Sequence, residues 1–311
     1  MAFNWVTFRT RTLTSIVFVA VMLTGLLWNQ WSFFILFSIV HFGCWIEYQQ
    51  LVKRIDPGYA EITPFHQYGV MLAGWCLLFY FSGDSYTLPG MRLHELGWWL
   101  GLICLFILPI TELLFTRELR PKNIAHSFFG LIYISLSLGL MMDLGSIIRD
   151  LYLKYGEPGG PSFAAFDPFP VIYPLIIILS LWMNDTFAYL VGSLIGRTPL
   201  SPISPKKTWE GTIGGMLCCV ALVGFVFSRI PLDTVTVGFR YQVPQSAWFI
   251  IPGIAAIMGT LGDLLESKLK RLANVKDSGH ILPGHGGFLD RFDSLLVAVP
   301  FVWLYVKIFI R

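Results

Sequence analysis

Nine runs of mainly apolar residues, each close to 20 residues long, do most to limit what this chain can fold into. They lie near residues 12–28, 31–52, 67–82, 97–115, 125–142, 170–192, 212–230, 246–266 and 292–310. A helix needs about 20 apolar residues to cross about 30 Å of hydrocarbon. The apolar residues come in runs and do not alternate with polar ones, which favours helices over the strands of a barrel. The sequence therefore predicts an all-α, polytopic integral membrane protein with about nine transmembrane helices.

The balance of charged residues supports a membrane protein. Only 13% of the 311 residues are charged and 55% are hydrophobic, whereas a soluble domain carries about 25% charged residues. The formal net charge is +3, and the chain has neither a basic tail nor a strip of alternating basic and aromatic residues. We therefore expect the lipid bilayer as a partner and no binding of nucleic acid.

The distribution of Lys and Arg predicts the orientation of the helices. With the N-terminus in the cytoplasm, nine crossings place 15 of the 22 Lys and Arg residues on the cytoplasmic side. Cytoplasmic loops of membrane proteins carry such an excess. The sequence thus predicts a bacterial cytoplasmic (inner) membrane protein, with polar loops at 193–211 and 267–291 facing the cytoplasm.

The polar residues are distributed unevenly along the chain and suggest three regions. Residues 1–142 are predicted to form structural, lipid-facing helices, in which Glu47 and Glu112 near helix ends are interpreted as interfacial. Residues 143–169, rich in Gly and Pro, are predicted to form an irregular external loop. Residues 170–311 are predicted to form the catalytic transmembrane region.

The densest charge in this apolar chain lies between Ser267 and Asp293. Its cations and anions are Lys268, Lys270, Arg271, Lys276, Arg291, Asp277, Asp290 and Asp293, and glycines are interspersed. Lys and Arg bind phosphate oxygens, and Mg²⁺ prefers carboxylate and water ligands beside substrate phosphates. The stretch therefore suits the handling of phosphate and metal. A basic loop that only fixes topology is the alternative.

A second polar group comes earlier, between residues 184 and 215. Asn184 and Asp185 lie inside or at the end of a predicted span, where an ionisable group is costly and usually functional. Ser204, Lys206 and Lys207 follow in a polar turn, which suits a triphosphate or a lipid phosphate. A topogenic basic loop would explain the lysines but leaves Asp185 unexplained.

Both stretches resemble one family, the phosphatidate cytidylyltransferases or CDP-diacylglycerol synthases. The first matches the whole family signature, at Ser267, Lys270, Arg271, Lys276, Asp277, Gly279, Pro283, His285, Gly286, Gly287, Asp290, Arg291 and Asp293. The second matches an N-D-x-x-A-Y element and an S-P-K-K-T-x-E-G element, although Phe187 stands where the family often has glycine. The resemblance covers about residues 184–293, and a match with so many fixed polar positions is specific.

The resemblance implies an enzyme that joins CTP and phosphatidate into CDP-diacylglycerol and pyrophosphate. It implies Mg²⁺ held by Asp263 and Asp290, with room for a second cation, and a homodimer. We assign catalytic roles to Asp263, Asp290, Lys276, Asp277 and Asp293. We assign substrate binding to Asn184, Asp185, Ser204, Lys206, Lys207, Lys270, Arg271, His285, Gly286, Gly287 and Arg291.

Two other functions remain open from the sequence. One is a different membrane-embedded, Mg²⁺-dependent transferase that acts on a lipid phosphate. A CDP-alcohol phosphotransferase would carry a D-G-x-x-A-R element, which this sequence lacks. The other is a transporter of phosphorylated metabolites, whose charges should lie near the middle of the membrane.

Overall fold

The computed structural model describes residues 5–116, 120–155, 171–229, 243–279 and 286–310. The helices are α1 (Trp5–Leu27), α2 (Gln30–Ile55), α3 (Pro64–Tyr80), α4 (Leu93–Phe115), α5 (Pro121–Gly130), α6 (Ser137–Tyr155), α7 (Ile172–Ile195), α8 (Trp209–Ser228), α9 (Ala247–Leu272) and α10 (Leu289–Phe309). A 3₁₀ turn covers Pro57–Glu61, and a π-helical turn, Leu131–Leu136, joins α5 to α6. Two antiparallel hairpins complete the fold: β1 (Thr87–Leu88) with β2 (Met91–Arg92), and β3 (Pro199–Ser201) with β4 (Ser204–Thr208).

The prediction of a helical membrane fold is confirmed. Within the described residues, seven helices are long and apolar enough to cross a membrane: α2, α4, the continuous helix Pro121–Asp150, α7, α8, α9 and α10. The apolar part of α1, Thr12–Leu27, is shorter, and α3 has 17 residues. Each predicted span overlaps a described helix, and the span 125–142 covers parts of α5, the π-helical turn and α6. Nine crossings and a cytoplasmic N-terminus stay predictions.

The chain forms two compact units. Unit 1 contains Met1–Phe81, Tyr86–Gly139 and Leu269–Phe292. Its core is aromatic: Phe33, Phe37, Trp45 and Tyr48 on α2 are at most 1% exposed. The indole Nε1 of Trp45 donates to Ser135 Oγ at 2.8 Å, which satisfies the polar edge of the ring inside the core.

Unit 2 contains Ser82–Ser85, Leu140–Lys268 and Asp293–Arg311. Small residues let its helices approach closely, as is common between membrane helices. A Cβ on Gly215 of α8 would lie 2.7 Å from the backbone nitrogen of Ala188 on α7. A Cβ on Gly262 of α9 would lie 2.5 Å from the carbonyl oxygen of Asp293 on α10. This second contact brings Asp293 next to the acidic end of α9.

Two segments differ from the sequence prediction. Residues 143–155 are helical, because α6 continues to Tyr155. Asp143 on α6 accepts from Trp303 Nε1 at 2.8 Å and pairs with Lys307 at 2.7 Å, which lets α6 carry a charge. Residues 156–170 lie outside the described part, so the external position of this loop stays a prediction. The polar turn at 199–208 is a β-hairpin.

Candidate functional site

Three carboxylates meet in unit 2, from two helices. Asp263 and Glu266 are three residues apart on α9, so they lie on one helical face, and Asp293 comes from the first turns of α10. One oxygen from each carboxylate lies within 4.8 Å of the others. Glu266 is 0% exposed and Asp293 is 7% exposed. Like charges this close and this buried are unfavourable unless a cation neutralises them.

One cation of the chain already contacts this acidic group, which we define as Asp263, Glu266 and Asp293. Lys207 Nζ pairs with Asp263 Oδ2, and Ser267 Oγ donates to Asp263 Oδ1 at 3.4 Å. Burial lowers the pKa of Lys207, and the charges of Asp185 and Asp293 oppose that shift. Lys207 and Asp293, one from each of the two polar stretches that the sequence singled out, thus both lie next to Asp263.

The hairpin that carries Lys207 is fixed at its base by Glu210. The carboxylate of Glu210 accepts from the backbone nitrogens of Arg197 and Thr198 at 3.1–3.2 Å and from Thr198 Oγ1 at 2.8 Å. Thr208 caps α8, since its Oγ1 accepts from Gly211 N at 3.2 Å. These bonds fix β4, which holds Lys207 half-buried and leaves Lys206 exposed.

The acidic group has donors that suit a hard divalent cation. Mg²⁺ takes carboxylate oxygens and water, and it commonly keeps sites for substrate phosphates. Asp263, Glu266 and Asp293 offer carboxylates and no soft ligand. Nearby on α7, Asn184 is 4% exposed and its Oδ1 has no hydrogen-bond partner among the described residues, whereas Asp185 is exposed.

In unit 1 the rest of the signature is organised around two other carboxylates. Asp290 Oδ1 accepts from Lys270 Nζ at 2.6 Å. Its Oδ2 accepts from the backbone nitrogens of Ser278 at 2.9 Å and Gly287 at 2.8 Å, and lies 2.9 Å from Ser278 Oγ. Both oxygens of Asp290 are therefore bound by donors of the signature itself.

The second carboxylate of unit 1 belongs to Glu47, which is 231–242 residues away in sequence. Glu47 accepts from the backbone nitrogens of Phe288 at 2.9 Å and Leu289 at 2.8 Å, and lies 2.7 Å from Ser278 Oγ. The first N–H groups of a helix lack partners within the helix, and an acidic group there is stabilising. Glu47 is 2% exposed and Glu112 is 7% exposed, so the interpretation of both as interfacial residues is wrong: Glu47 holds the start of α10, and Glu112 pairs with His66.

Two glycines of the signature are required by this arrangement. Gly286 has a φ of 81°, a left-handed conformation that residues with a Cβ rarely adopt. A Cβ on Gly287 would lie 2.2 Å from Glu47 Oε2. We call Glu47, Asp290, Lys270, Ser278 and the backbone at 286–289 the loop clamp.

The remaining predicted site residues fall into two groups. Arg271, Lys276, Asp277 and Arg291 are exposed in unit 1, and His285 lies outside the described residues. Asp263 and Asp290 belong to different units, so their predicted sharing of one metal stays a prediction.

Sequence reasoning missed two residues that the structure brings into these groups. Glu266 stands three residues after Asp263 in G-D-L-L-E-S, and helical spacing alone could have placed the two together. Glu47 had only a weak signal: it is a charge within an apolar run, which is costly in a membrane without a partner.

Comparisons with known proteins agree with the pattern of these motifs. The model of the cytidylyltransferase family matches residues 9–309. A Thermotoga maritima protein named phosphatidate cytidylyltransferase is 44% identical over 191 residues, which is 60% of each chain. A Staphylococcus saprophyticus protein of the same name is 35% identical over 69% of this chain and 77% of its own length. A Bacillus subtilis protein of that name is 39% identical over 46% of this chain and 50% of its own length. The match thus spans 60% of the length of the Thermotoga protein and half of the Bacillus protein.

Proposed function

We propose that this chain, which belongs to the cytidylyltransferase family, transfers the cytidylyl group of CTP to phosphatidate. The products are CDP-diacylglycerol and pyrophosphate. The names of its relatives support the choice of substrates. The observation that carries the proposal is the meeting of Asp263, Glu266 and Asp293 with Lys207, because nucleotide transfer needs a divalent cation and a cationic partner for phosphate.

The acidic group is the site we propose for Mg²⁺. Asp263, Glu266 and Asp293 would hold it, and a second cation is part of the proposal because the phosphates of the nucleotide would add negative charge to the three carboxylates. When bound, the ion would neutralise the charge of nucleotide phosphates. Asp290 as a further ligand stays a prediction from the resemblance.

The chemical step we propose is a direct displacement. A phosphate oxygen of phosphatidate attacks the α-phosphorus of CTP, the new P–O bond forms, and the bond to pyrophosphate breaks. Neither a covalent intermediate nor a nucleophilic side chain is required. Catalysis then comes from positioning and from neutralising charge.

The chain's own residues serve those two needs. Lys207, fixed on the hairpin, would bind a phosphate oxygen and exchange its contact with Asp263 for the incoming anion. Lys206, Ser204 and Asn184 are proposed to bind substrate alongside it. In unit 1, Lys270, Arg271, Lys276, Asp277, His285, Gly286, Gly287 and Arg291 keep their predicted catalytic or binding roles, with the loop clamp holding the backbone of the signature in place.

We also propose where and how the protein works. The substrate of the reaction is a membrane lipid and the cosubstrate is a soluble nucleotide, which suits an integral protein of the bacterial inner membrane with its polar loops in the cytoplasm. A homodimer is proposed on the resemblance to the family. Cysteines introduced at 203 and 282 should be labelled from the cytoplasmic side and at 160 from the other side; labelling of 203 and 282 from opposite sides would contradict this topology.

The reaction is tested with purified protein and CTP labelled in its α-phosphate. Label should enter chloroform-extractable lipid only when phosphatidate and Mg²⁺ are both present, and pyrophosphate should appear in equal amount. Release of pyrophosphate without phosphatidate, or transfer to a different lipid phosphate in preference, would contradict the assignment.

A further inference from the structure

A large cavity lies within unit 1, between α3, α4 and α5. Its volume is about 800 Å³, and it is open on one side, where the lining residues Leu105, Leu113 and Phe128 are 61–65% exposed. Pockets that bind small molecules range over about 300–1,000 Å³. The space therefore has the size of a ligand site and is too large to be a packing defect.

The walls of the cavity are almost entirely apolar. They are formed by aliphatic and aromatic side chains on all three helices, among them Val70, Leu77, Leu102, Leu105, Leu108 and Phe128. Small residues provide the space: a Cβ on Gly101 of α4 would meet only the Cβ of Cys76, at 3.8 Å. Covering such an apolar surface with hydrocarbon is favourable.

The polar groups that reach the cavity bind one another. His66 Nδ1 pairs with Glu112 Oε2 at 2.9 Å, and His66 Nε2 lies 2.7 Å from Ser127 Oγ. Both ring nitrogens of His66 are thus used inside the protein, and His66 and Glu112 are at most 8% exposed. Because a carboxylate is among these groups, a phosphate would be repelled, whereas an uncharged chain has no polar group that must be satisfied here.

The outer wall of the cavity points to the bilayer as the source of the ligand. Of the 23 residues of α4, only Leu93, Gly97 and Glu112 are buried, and the helix is apolar enough to span a membrane. On its outer face Phe106 and Leu114 are 66% and 69% exposed. Because the cavity opens on this apolar side, lipid chains are the groups that can enter it.

We propose that this cavity binds one acyl chain of a membrane glycerolipid, with the head group of that lipid outside it. The site lies among residues to which the transfer reaction assigns no role. The inference therefore stands whether or not the chain transfers a cytidylyl group.

Photo-crosslinking tests the proposal directly. The full-length protein is placed in nanodiscs that contain phosphatidylcholine with a diazirine on one acyl chain, and labelled residues are mapped by mass spectrometry. Labels should fall on the less exposed cavity residues, such as Val70, Leu77 and Leu108. Unlabelled phosphatidylcholine should compete, and glycerol 3-phosphate should not.

Two variants make the test specific. Gly101→Leu fills the cavity and should reduce labelling of the cavity residues at least about fivefold, because the added side chain removes the space for the ligand. Ile110→Trp, a matched change at a residue of α4 that is 53% exposed and does not line the cavity, should leave labelling unchanged. If Gly101→Leu does not fold, Ala73→Leu provides the same comparison from α3.

The results that overturn the proposal are equally definite. Equal labelling of the cavity in the native protein and in the filled variant would show that the chain lies elsewhere. Labels confined to outward residues such as Phe106 and Leu114 would show only the surrounding bilayer. Competition by glycerol 3-phosphate would mean that a head group, and not a chain, is recognised.

Discussion

The loop clamp of unit 1 and the acidic group of unit 2 each contain one carboxylate of the signature, Asp290 and Asp293, but their surroundings are opposite. Asp290 and Glu47 accept hydrogen bonds from one lysine, one serine hydroxyl and four backbone N–H groups. Asp263, Glu266 and Asp293 come within 4.8 Å of one another, with Lys207 and Ser267 on Asp263 and the backbone nitrogen of Ser294 on Asp293. A carboxylate whose oxygens are bound by the protein holds structure, whereas a cluster of carboxylates favours a cation.

The largest effect is expected from the acidic group. Asp263→Asn keeps the shape but removes charge, so turnover should fall by at least about 100-fold, since even residues behind the metal ligands cost 10- to 100-fold. Asp263→Asn combined with Asp293→Asn should be scarcely worse, because residues that act as a unit are not additive. Activity measured at limiting Mg²⁺, with the thermal unfolding midpoint as the control for folding, decides the matter. Near-normal turnover in Asp263→Asn would contradict a catalytic role for the acidic group and remove its contrast with the loop clamp.

Substitutions in the loop clamp should lower the stability of the protein more than they lower its catalytic rate. Glu47→Gln places an NH₂ group against backbone donors, which should destabilise the protein by about 2–4 kcal/mol, as expected when a buried charged acceptor is lost. Thermal unfolding in detergent measures this. The remaining folded protein should show a lower kcat with an unchanged Mg²⁺ requirement.

Glu61→Gln is the matched control for that change. Glu61 pairs with Arg120 at 3.0 Å, but its side chain is 65% exposed, and such surface pairs contribute about 0–1 kcal/mol. If Glu47→Gln destabilised the protein no more than Glu61→Gln does, the loop clamp would not contribute to stability.

The hairpin lysines should differ from each other. Lys207→Ala removes the cation that contacts the acidic group and should raise KM for one substrate by about 10- to 100-fold, the equivalent of one charged hydrogen bond. Lys206→Ala, at an exposed position, should have a smaller effect. Steady-state kinetics with CTP and phosphatidate varied in turn measures both. Unchanged kinetics in both variants would return the hairpin to a purely topogenic role.

The smallest effect concerns the turn of the signature. Gly286→Ala should cost about 1–3 kcal/mol from its positive φ, and its Cβ would also lie 2.5 Å from Asp290 Oδ2. Gly90 has a φ of 82°, and a Cβ added there would have nothing within 4 Å. Gly90→Ala therefore measures the cost of the positive φ alone. The difference between their unfolding midpoints measures the close approach to Asp290, and equal shifts would show that the approach does not matter.

Much of the fold could be predicted from sequence because a membrane span is a local property. A run of about 20 apolar residues defines a helix without knowledge of its neighbours. The continuation of α6 to Tyr155 could not be predicted, because its charge at Asp143 is paired with Lys307, far along the chain. The hairpin at 199–208 was missed because its strands have only three and five residues, and the second contains a proline and two lysines, which are depleted in strands.

The site was predictable where chemistry follows from motif and unpredictable where it follows from packing. Asp263 and Lys207 stand in recognisable elements, and their contact joins those elements. Asp293 reaches Asp263 only because Gly262 lets α9 and α10 approach. Glu47 lies 231–242 residues from its partners, and no local pattern encodes a bond of that range.

A substitution at Asp290 can distinguish two roles for this residue: holding the loop, as its contacts indicate, or binding a metal, as the resemblance implies. Its contacts predict that Asp290→Asn loosens the loop and lowers the unfolding midpoint while divalent-cation affinity is retained. A loss of cation affinity in this variant would instead support the pairing of Asp290 with Asp263 that the resemblance implies.

The most direct test of the central claim is divalent-cation binding itself. Mn²⁺ binding, followed by electron paramagnetic resonance and competed with Mg²⁺, is measured without substrates on the native protein, Glu266→Gln and the Glu61→Gln control. The contrast between the clamp and the acidic group predicts that Glu266→Gln weakens binding by at least about tenfold, because a charged ligand is lost, and that Glu61→Gln binds as the native protein does. Equal Mn²⁺ affinity in Glu266→Gln and the native protein would contradict it.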